Sequence, residues 1–262
     1  MPRFDNRTCS PAIIMAAGRD STAFAAAGEA ARRGLADICG RPMIAYVIEA
    51  LRAAPEVGEI LVVCGRGFPS LPGVDRYVEA EGDLVANLEE GLRACRDAGG
   101  AALLTSADAP FLTAAAISDF VRRCGAADAA LDYAIVSRAA CEARFPTMHR
   151  TYVRLADGEF TGGNLFFIQR AIWPAVRRVL AAAYRARKKP WLLARLLGPR
   201  ILWRLFCRTV TIAEAEARIS KLLGCRCRAI ITPYAEIGAD VDDPGDLAIA
   251  RQLLDPSAVP HV

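Results

Sequence analysis

The stretch Ala101-Ala-Leu-Leu-Thr-Ser-Ala-Asp-Ala-Pro110 decides the fold, because an apolar run is followed at once by small residues, one aspartate and a proline. Such a run with a turn signal behind it predicts a buried strand that stops just before Asp108. A second stretch, Asp240-Val-Asp-Asp-Pro244, precedes the last predicted helix and also carries acids where a strand stops. Ligands collect outside the carboxyl ends of strands in an open α/β sheet, so these acids could converge on one divalent cation. The arrangement suits an enzyme that handles a nucleoside triphosphate.

The chain around the first stretch alternates between short apolar strands and amphipathic helices. Buried-strand patterns occupy Pro11–Ala16, Glu59–Cys64 and Ala101–Thr105, with a weaker one at 74–79. Helical spacing is found over 42–54, Asn87–Ala98 and 113–124, the last with Thr113 as a good N-cap. This alternation predicts an α/β fold with a mainly parallel sheet covered by helices on both faces.

The second half of the chain has a different pattern. Further strands are predicted at Asp132–Ser137, Thr151–Leu155, Leu165–Ile168 and Arg228–Thr232, with a hairpin turn at 156–159. Two or three helices fill 169–223, the second running from Trp191 to Cys207, and a closing helix covers Pro244–Leu254. We therefore predict a single domain over 1–262 with a helical insertion at about 169–224.

The composition indicates a cytoplasmic protein. Hydrophobic residues make up 53% of the chain, yet no apolar run approaches the roughly 20 residues that span a bilayer. The polar segment Met1–Cys9 has no hydrophobic signal region. The nine cysteines are scattered and odd in number, which favours reduced thiols over disulfides or a zinc site.

A candidate phosphate cradle directly follows the first predicted strand. Its residues are Ala16, Ala17, Gly18 and Arg19. Small residues let backbone amides approach an anion closely. The pattern is neither Walker A nor G-x-G-x-x-G, so an ordinary strand-to-helix turn is the alternative.

Four motifs stand in the chain in a recognisable order: Ala16-Ala-Gly-Arg-Asp-Ser21, Leu35-Ala-Asp-Ile-Cys-Gly-Arg-Pro-Met-Ile44, Ser106-Ala-Asp-Ala-Pro-Phe-Leu-Thr113 and Asp240-Val-Asp-Asp-Pro-Gly-Asp-Leu247. Together they resemble the motifs of the molybdenum-cofactor guanylyltransferase-like (MobA-like) NTP transferases, a group that includes the sugar-phosphate and methylerythritol-phosphate nucleotidyltransferases. Arg150–Arg154 followed by Phe160–Asn164 resembles an uncharacterised bacterial branch of that superfamily.

The resemblance implies a Rossmann-like, GT-A-like sheet of the nucleotide-diphospho-sugar transferases. It also implies an NTP over the first-strand loop, and attack of a substrate phosphate on the α-phosphorus with loss of pyrophosphate. Mg²⁺ would bridge the phosphates. Asp108 is the best metal ligand by this resemblance, followed by Asp242 and then Asp240. We expect Asp243 to cap the closing helix and Asp246 to lie in its first turn.

Candidate cations depart from the resembled pattern. The family usually carries a lysine ahead of the Gly-Arg-Pro segment, and Arg33 stands at that register here. Arginine keeps the charge and can grip phosphate with two donors, but it is longer and planar. Arg41 could share this catalytic role, a solvated surface arginine being the alternative.

The remaining candidate residues would contact the base and the second substrate. Asp83 and Asn87 occupy the place where relatives contact the base, with helix capping as the alternative for Asn87. Gly163 and Asn164, together with Gly162, resemble the segment that meets the second substrate: the paired glycines would admit a ligand to the backbone, and Asn164 offers both a donor and an acceptor. His149 and Arg150 could contact an anionic acceptor or belong to a solvated loop.

The segment 184–206 mixes basic residues with Trp191, Trp203 and leucines. This composition suits peripheral contact with the inner face of a membrane or a port for a lipid phosphate. The alternative is a pair of amphipathic helices packed on the sheet. Nucleic-acid binding is not expected, because aromatic residues are sparse among the basic ones.

The leading function is Mg²⁺-dependent transfer of an NMP group from an NTP to a phosphorylated small molecule or lipid. One alternative is a nucleotide-sugar-dependent glycosyltransferase, which shares the fold and the metal-binding acids. The other is a degenerate nucleotide-binding relative, suggested by arginine in place of the family's lysine.

Overall fold

The computed structural model describes residues 9–18, 21–30, 32–96, 100–125, 129–186 and 198–257, with the backbone alone for 183–186, 199, 200 and 202. The strands are β1 Ser10–Met15, β2 Asp37–Ile38, β3 Arg41–Pro42, β4 Val57–Cys64, β5 Arg76–Glu79, β6 Ala101–Ser106, β7 Leu131–Ser137, β8 Val153–Leu155, β9 Gly158–Gln169 and β10 Cys227–Thr232. The helices are α1 Thr22–Ala26, α2 Met43–Ala53, α3 Leu84–Ala94, α4 Ala114–Gly125, α5 Arg138–Arg144, α6 Trp173–Ala186, α7 Pro199–Phe206, α8 Ile212–Leu223 and α9 Pro244–Leu253. Short 3₁₀ turns cover Arg33–Leu35, Arg170–Ile172 and Ala235–Gly238.

The main sheet has the order β10-β7-β9-β6-β1-β4-β5, with β8 paired to β9. Strands β1, β4, β5 and β6 pair in parallel, as do β7 and β10. Only β9 runs antiparallel to both of its neighbours in this order, β6 and β7. The predicted α/β fold with a mainly parallel, Rossmann-like sheet is confirmed.

Helices cover both faces of this sheet because its inner strands are apolar on both sides. Ile14 of β1 and Leu103 of β6 belong to one buried cluster, which includes residues of α2, α4 and α5. Ile13 and Leu104 of the same strands face the other cluster, which includes residues of α3, α6 and α8. The carboxyl ends of the parallel strands consequently stay at one open edge.

Strand β9 contains a bulge near that edge. Tyr133 of β7 pairs with Phe166, whereas Ile135 pairs with Gly162, so a step of two residues on β7 matches a step of four on β9. The unmatched part includes Gly163 and Asn164. Bulges are common next to active sites, where they redirect side chains.

Two predicted helix boundaries were wrong. The helix predicted from Trp191 to Cys207 begins at Pro199 in the described part, because Gly198 before it has a φ of 91°, which a helix cannot continue through. Residues 187–197 lie outside the described residues. Helix α3 begins at Leu84 with Asp83 as its N-cap, earlier than the predicted Asn87. Among the described residues, no helix is long and apolar enough to cross a membrane.

Candidate active site

The two acidic segments meet at the carboxyl edge of the sheet. The Val241 N–H donates to the Asp108 carbonyl oxygen at 2.8 Å, which joins the end of β6 directly to the segment before α9. Asp243 caps α9 by accepting from the Asp246 N–H at 2.9 Å. The Asp246 carboxylate in turn accepts from the Asp242 N–H at 3.1 Å. These bonds fix the direction of the segment from which Asp240 and Asp242 project.

Arg33 lies between two of the predicted metal ligands. Its Nη2 is 3.0 Å from Asp108 Oδ2, and its Nη1 donates to Asp242 Oδ1 at 2.5 Å. Gly34 permits this position, because a Cβ there would stand 2.8 Å from the Cβ of Ala107. Burial opposes ionisation of the guanidinium, but the charges of Asp108 and Asp242 outweigh it and raise the Arg33 pKa. A cationic group thus bridges the two acidic segments.

A second arginine holds the third acid. Arg150 is nearly buried, with 7% of its side chain exposed, and its Nη1 is 3.1 Å from Asp240 Oδ1. It also donates to the Asp240 carbonyl oxygen. Burial raises the Asp240 pKa to about 6; Arg150 opposes this shift, while Asp242 and Asp108 add to it. Arg150, predicted to contact the acceptor, therefore also positions Asp240.

These arginines affect how the site could hold a metal ion. Among the described residues, no group of three or more His, Cys, Asp or Glu side chains is arranged as a metal centre. The physical reason is that Arg33 stands between Asp108 and Asp242. Those two carboxylates nevertheless converge on one cationic group, and carboxylate oxygens are the donors that Mg²⁺ prefers. The residues fit a divalent cation once the guanidinium leaves.

The loop after β1 is held from α3. Asn87 is 2% exposed; its Nδ2 donates to the Ala17 carbonyl oxygen at 3.2 Å and its Oδ1 accepts from the Gly82 N–H at 2.8 Å. Asp83 accepts from the N–H groups of Val85 and Ala86. Both predicted base contacts thus bond to the protein backbone: Asn87 holds the loop after β1, and Asp83 caps α3.

The described part of that loop ends at Gly18, whose backbone borders free space. The Ala16 N–H donates to the Val63 carbonyl oxygen of β4 at 2.8 Å, just after β1 ends. A Cβ built on Gly18 would meet no atom within 4 Å, so free space adjoins the backbone there. Arg19 lies outside the described residues.

The paired glycines of β9 serve packing. The Tyr133 hydroxyl fills the space beside Gly162, and Ile237 lies 2.7 Å from a Cβ built on Gly163. The expectation that both glycines admit a ligand to the backbone is corrected here, because neighbouring side chains occupy that space. Asn164 remains at the edge: its Nδ2 donates to the Ile237 carbonyl oxygen at 3.1 Å, and the Ser106 hydroxyl donates to its Oδ1 at 3.3 Å. His149 is exposed on the loop before Arg150.

Ser106 was missed by sequence reasoning, although it stands in the segment that ends β6.

Arg41 was predicted to share the catalytic role of Arg33, with a solvated surface arginine as the alternative. Its Nη2 is 2.6 Å from Glu49 Oε2, and its guanidinium lies 4.7 Å from the Tyr46 ring centre. These contacts hold it on the surface beside α2, so the alternative interpretation of Arg41 describes it better than the catalytic one.

The chain has several similar proteins of known family or structure. A family model described as a MobA-like NTP transferase domain matches residues 12–197. A hypothetical transferase from Thermus thermophilus is 38% identical, with a TM-score of 0.79, over 91% of this chain and 99% of that one. No curated protein matches the chain.

Two further solved structures show a shared fold. CMP:2-keto-3-deoxy-manno-octonic acid synthetase complexed with CTP is 15% identical, with a TM-score of 0.57, over 93% of this chain and 98% of that one. Rv0371c from Mycobacterium tuberculosis in complex with manganese is 17% identical, with a TM-score of 0.51, over 93% and 97% of the two chains.

Proposed function

The chain belongs to the family of MobA-like NTP transferase domains and is a nucleotidyltransferase, and from this premise we propose that it acts on a phosphorylated acceptor. The acceptor is a phosphorylated small molecule or lipid. One of its phosphate oxygens attacks the α-phosphorus of an NTP, the bond from the α-phosphorus to the bridging oxygen breaks, and pyrophosphate leaves. The products are the NMP-acceptor conjugate and pyrophosphate.

The observation that carries this proposal is the bridge formed by Arg33 between Asp108 and Asp242. It brings a guanidinium and two carboxylates together where β6 ends, which supports binding of a triphosphate and a divalent cation at this edge of the sheet. The carboxylates would hold Mg²⁺, which when bound neutralises charge on the phosphates. Arg33 then releases Asp108 and Asp242 and pairs with phosphate oxygens, which accept from its two donors.

The other residues of the site have positioning tasks. Asn87 keeps the Ala17 carbonyl fixed, so the loop amides are directed before the triphosphate arrives. Arg150 keeps Asp240 close to Asp242 and Asp108. On the acceptor side, Ser106 and Asn164 supply polar groups at the bulge of β9. Because these groups are already in position, less free energy is needed to bring the NTP and the acceptor phosphate together.

The experiment that tests the proposed function measures pyrophosphate release from each NTP, and nucleoside diphosphate release from NDP-sugars, with Mg²⁺ and phosphorylated acceptors. A preferred NTP should also raise the melting temperature, because binding to the native state stabilises it by mass action. Release of nucleoside diphosphate from an NDP-sugar would favour the glycosyltransferase alternative. Stabilisation by an NTP without turnover of any donor would favour the degenerate relative.

We also propose peripheral membrane contact through 184–206. On α7 the aromatic rings of Trp203 and Phe206 are 68% and 80% exposed and stand 6.0 Å apart. Such rings insert at a bilayer interface, and each nearby basic residue adds about 1 kcal/mol on an anionic surface. The side chains of Arg185, Arg187, Lys188, Lys189 and Trp191 lie outside the described residues.

We expect the protein to co-sediment with anionic vesicles at low salt, and to be released by high salt. Replacing Trp203 and Phe206 with alanine should weaken sedimentation. Leu253→Ala, at an apolar residue on α9 that is 47% exposed, should leave it unchanged. Absence of sedimentation with anionic vesicles at low salt would contradict membrane contact.

A further inference from the structure

A cavity of about 470 Å³ lies between α8 and the sheet face formed by β7, β8, β9 and β10. Its volume is within the usual range of small-molecule sites. Tyr133 and Phe166 form one wall as a stacked pair, with ring centres 4.3 Å apart. Ile219 of α8 and Cys227 of β10 belong to the opposite part of the lining. The described lining includes neither the acid cluster, which consists of Asp108, Asp240 and Asp242, nor the loop after β1.

The chemistry of the lining selects an apolar occupant. Two charged side chains reach the wall, Glu216 and Arg228, and both have partners within the protein. Glu216 Oε1 accepts from the Ala229 N–H at 2.7 Å. Arg228 Nε donates to the buried Asp132 carboxylate at 2.7 Å. With these charges paired, the lining offers a hydrocarbon chain a favourable environment and offers a phosphate little.

One end of the cavity lies at Gly162, next to the bulge of β9. Gly162 lines the cavity and directly precedes Gly163 and Asn164 at the bulge of β9. The Tyr133 hydroxyl lies against Gly162. Burial and, to a lesser extent, the charge of Asp240 raise the Tyr133 pKa.

The other end lies away from the nucleotide loop. Leu131 and Cys227 are the first pair of the β7–β10 ladder, so they stand far from the carboxyl edge. Val153 and Phe166 line the cavity and are themselves 48% and 37% exposed, which leaves it open to solvent. Exposed apolar walls of this kind are characteristic of ligand-binding grooves.

We propose that this cavity binds the hydrocarbon part of a phosphorylated acceptor, so that the substrate class is an alkyl or lipid phosphate. The phosphate lies at Ser106 and Asn164, and the chain extends from Gly162 along the sheet beneath α8. This inference rests on the proposed nucleotidyl transfer for the phosphate's position. The binding of the chain is measurable without turnover.

The test uses calorimetric titration of the full chain with octyl phosphate and with methyl phosphate. These probes share the phosphate and differ in the length of the alkyl group. We expect octyl phosphate to bind at least about tenfold tighter, because apolar surface leaves water. Ala215→Phe fills the cavity from α8, and it should remove this preference. Ala217→Phe places the same ring on an exposed position of α8 and should keep it.

Equal affinities of the two phosphates for the wild-type protein would overturn the inference, as would an undiminished preference in a folded Ala215→Phe variant. If Ala215→Phe does not fold, Ile219→Trp replaces it as the filling variant. Pyrophosphate release is measured in the same preparations to separate the two proposals. If pyrophosphate is released but octyl phosphate binds no tighter than methyl phosphate, only the cavity proposal is contradicted. If octyl phosphate binds tighter than methyl phosphate but no NTP yields pyrophosphate, the cavity proposal is supported and the proposed nucleotidyl transfer is contradicted.

Discussion

We expect Asp108→Asn to lower the rate of nucleotidyl transfer by at least about a hundredfold, as loss of one preorganised electrostatic group does in other active sites. The neutral amide removes the charge that faces Arg33 at 3.0 Å and that would hold Mg²⁺. The fold should survive, because the replacement has the same shape and a partly exposed ion pair contributes about 1 kcal/mol or less. Pyrophosphate release at saturating Mg²⁺, together with thermal unfolding, measures both effects.

Asp119→Asn is the matched control for this change. Asp119 pairs with Arg123 one turn along α4 and is not part of the candidate site, so the same substitution there should leave the rate unchanged. Near-normal turnover of Asp108→Asn would show that Asp108 is not a metal ligand of this site. Asp242→Asn should cost less than Asp108→Asn, because the Asp242 side chain is 59% exposed and that of Asp108 is 15% exposed, so solvent screens the charge of Asp242 more strongly. A greater loss for Asp240→Asn than for Asp242→Asn would assign the second ligand role to Asp240.

The second large effect is expected at Arg33. Arg33→Ala should lower kcat/KM for the NTP by roughly a hundredfold, because the triphosphate loses its charged partner in the site. Arg33→Lys keeps the charge found in the resembled family, so it should retain much of the activity. Arg41→Ala is the control, since Arg41 is paired with Glu49 beside α2. Wild-type activity of Arg33→Ala, or a loss confined to Arg41→Ala, would contradict this assignment.

A measurement without turnover gives Arg33 a separate test. In Arg33→Ala the carboxylates of Asp108 and Asp242 lose the cation that bridges them. Mg²⁺ should therefore raise the melting temperature of Arg33→Ala more than that of the wild type, since the metal no longer competes with the guanidinium. An equal Mg²⁺ shift in the two proteins would show that the metal does not bind where Arg33 lies.

The sequence predicted the convergence of the acidic segments from strands that end at one edge of the sheet. This reasoning holds for Asp108, which directly follows β6. Asp242, in contrast, is separated from β10 by the 3₁₀ turn Ala235–Gly238 and reaches the edge through the hydrogen bond from the Val241 N–H to the Asp108 carbonyl oxygen. The contact of Arg33 with both acids depends on how a short 3₁₀ turn packs on Ala107. Periodicity carries no information about such packing, so the bridge became visible only in the structure.

The errors on the acceptor side have a similar cause. Gly162 and Gly163 were expected to admit a ligand to the backbone, which the structure contradicts. The groups that approach the backbone there are Tyr133 and Ile237, from elements distant in the chain. Asn87 was predicted to contact the base or to cap a helix, and in the structure its side chain bonds to backbone atoms of Gly82 and Ala17. A sequence identifies crowded positions more readily than it identifies the neighbour that crowds them.

The hydrogen bond from the Val241 N–H to the Asp108 carbonyl oxygen has a consequence for biosynthesis. The stretch that matches the family model, residues 12–197, contains Asp108 but ends before Asp240 and Asp242. Domains form progressively as the chain leaves the ribosome, and long-range contacts close late. A nascent chain can therefore complete the strands beneath the first acid while the second acid is still untranslated. Catalytic competence would appear only when residues 240–242 emerge, and fragments ending near 197 should fail to transfer nucleotides.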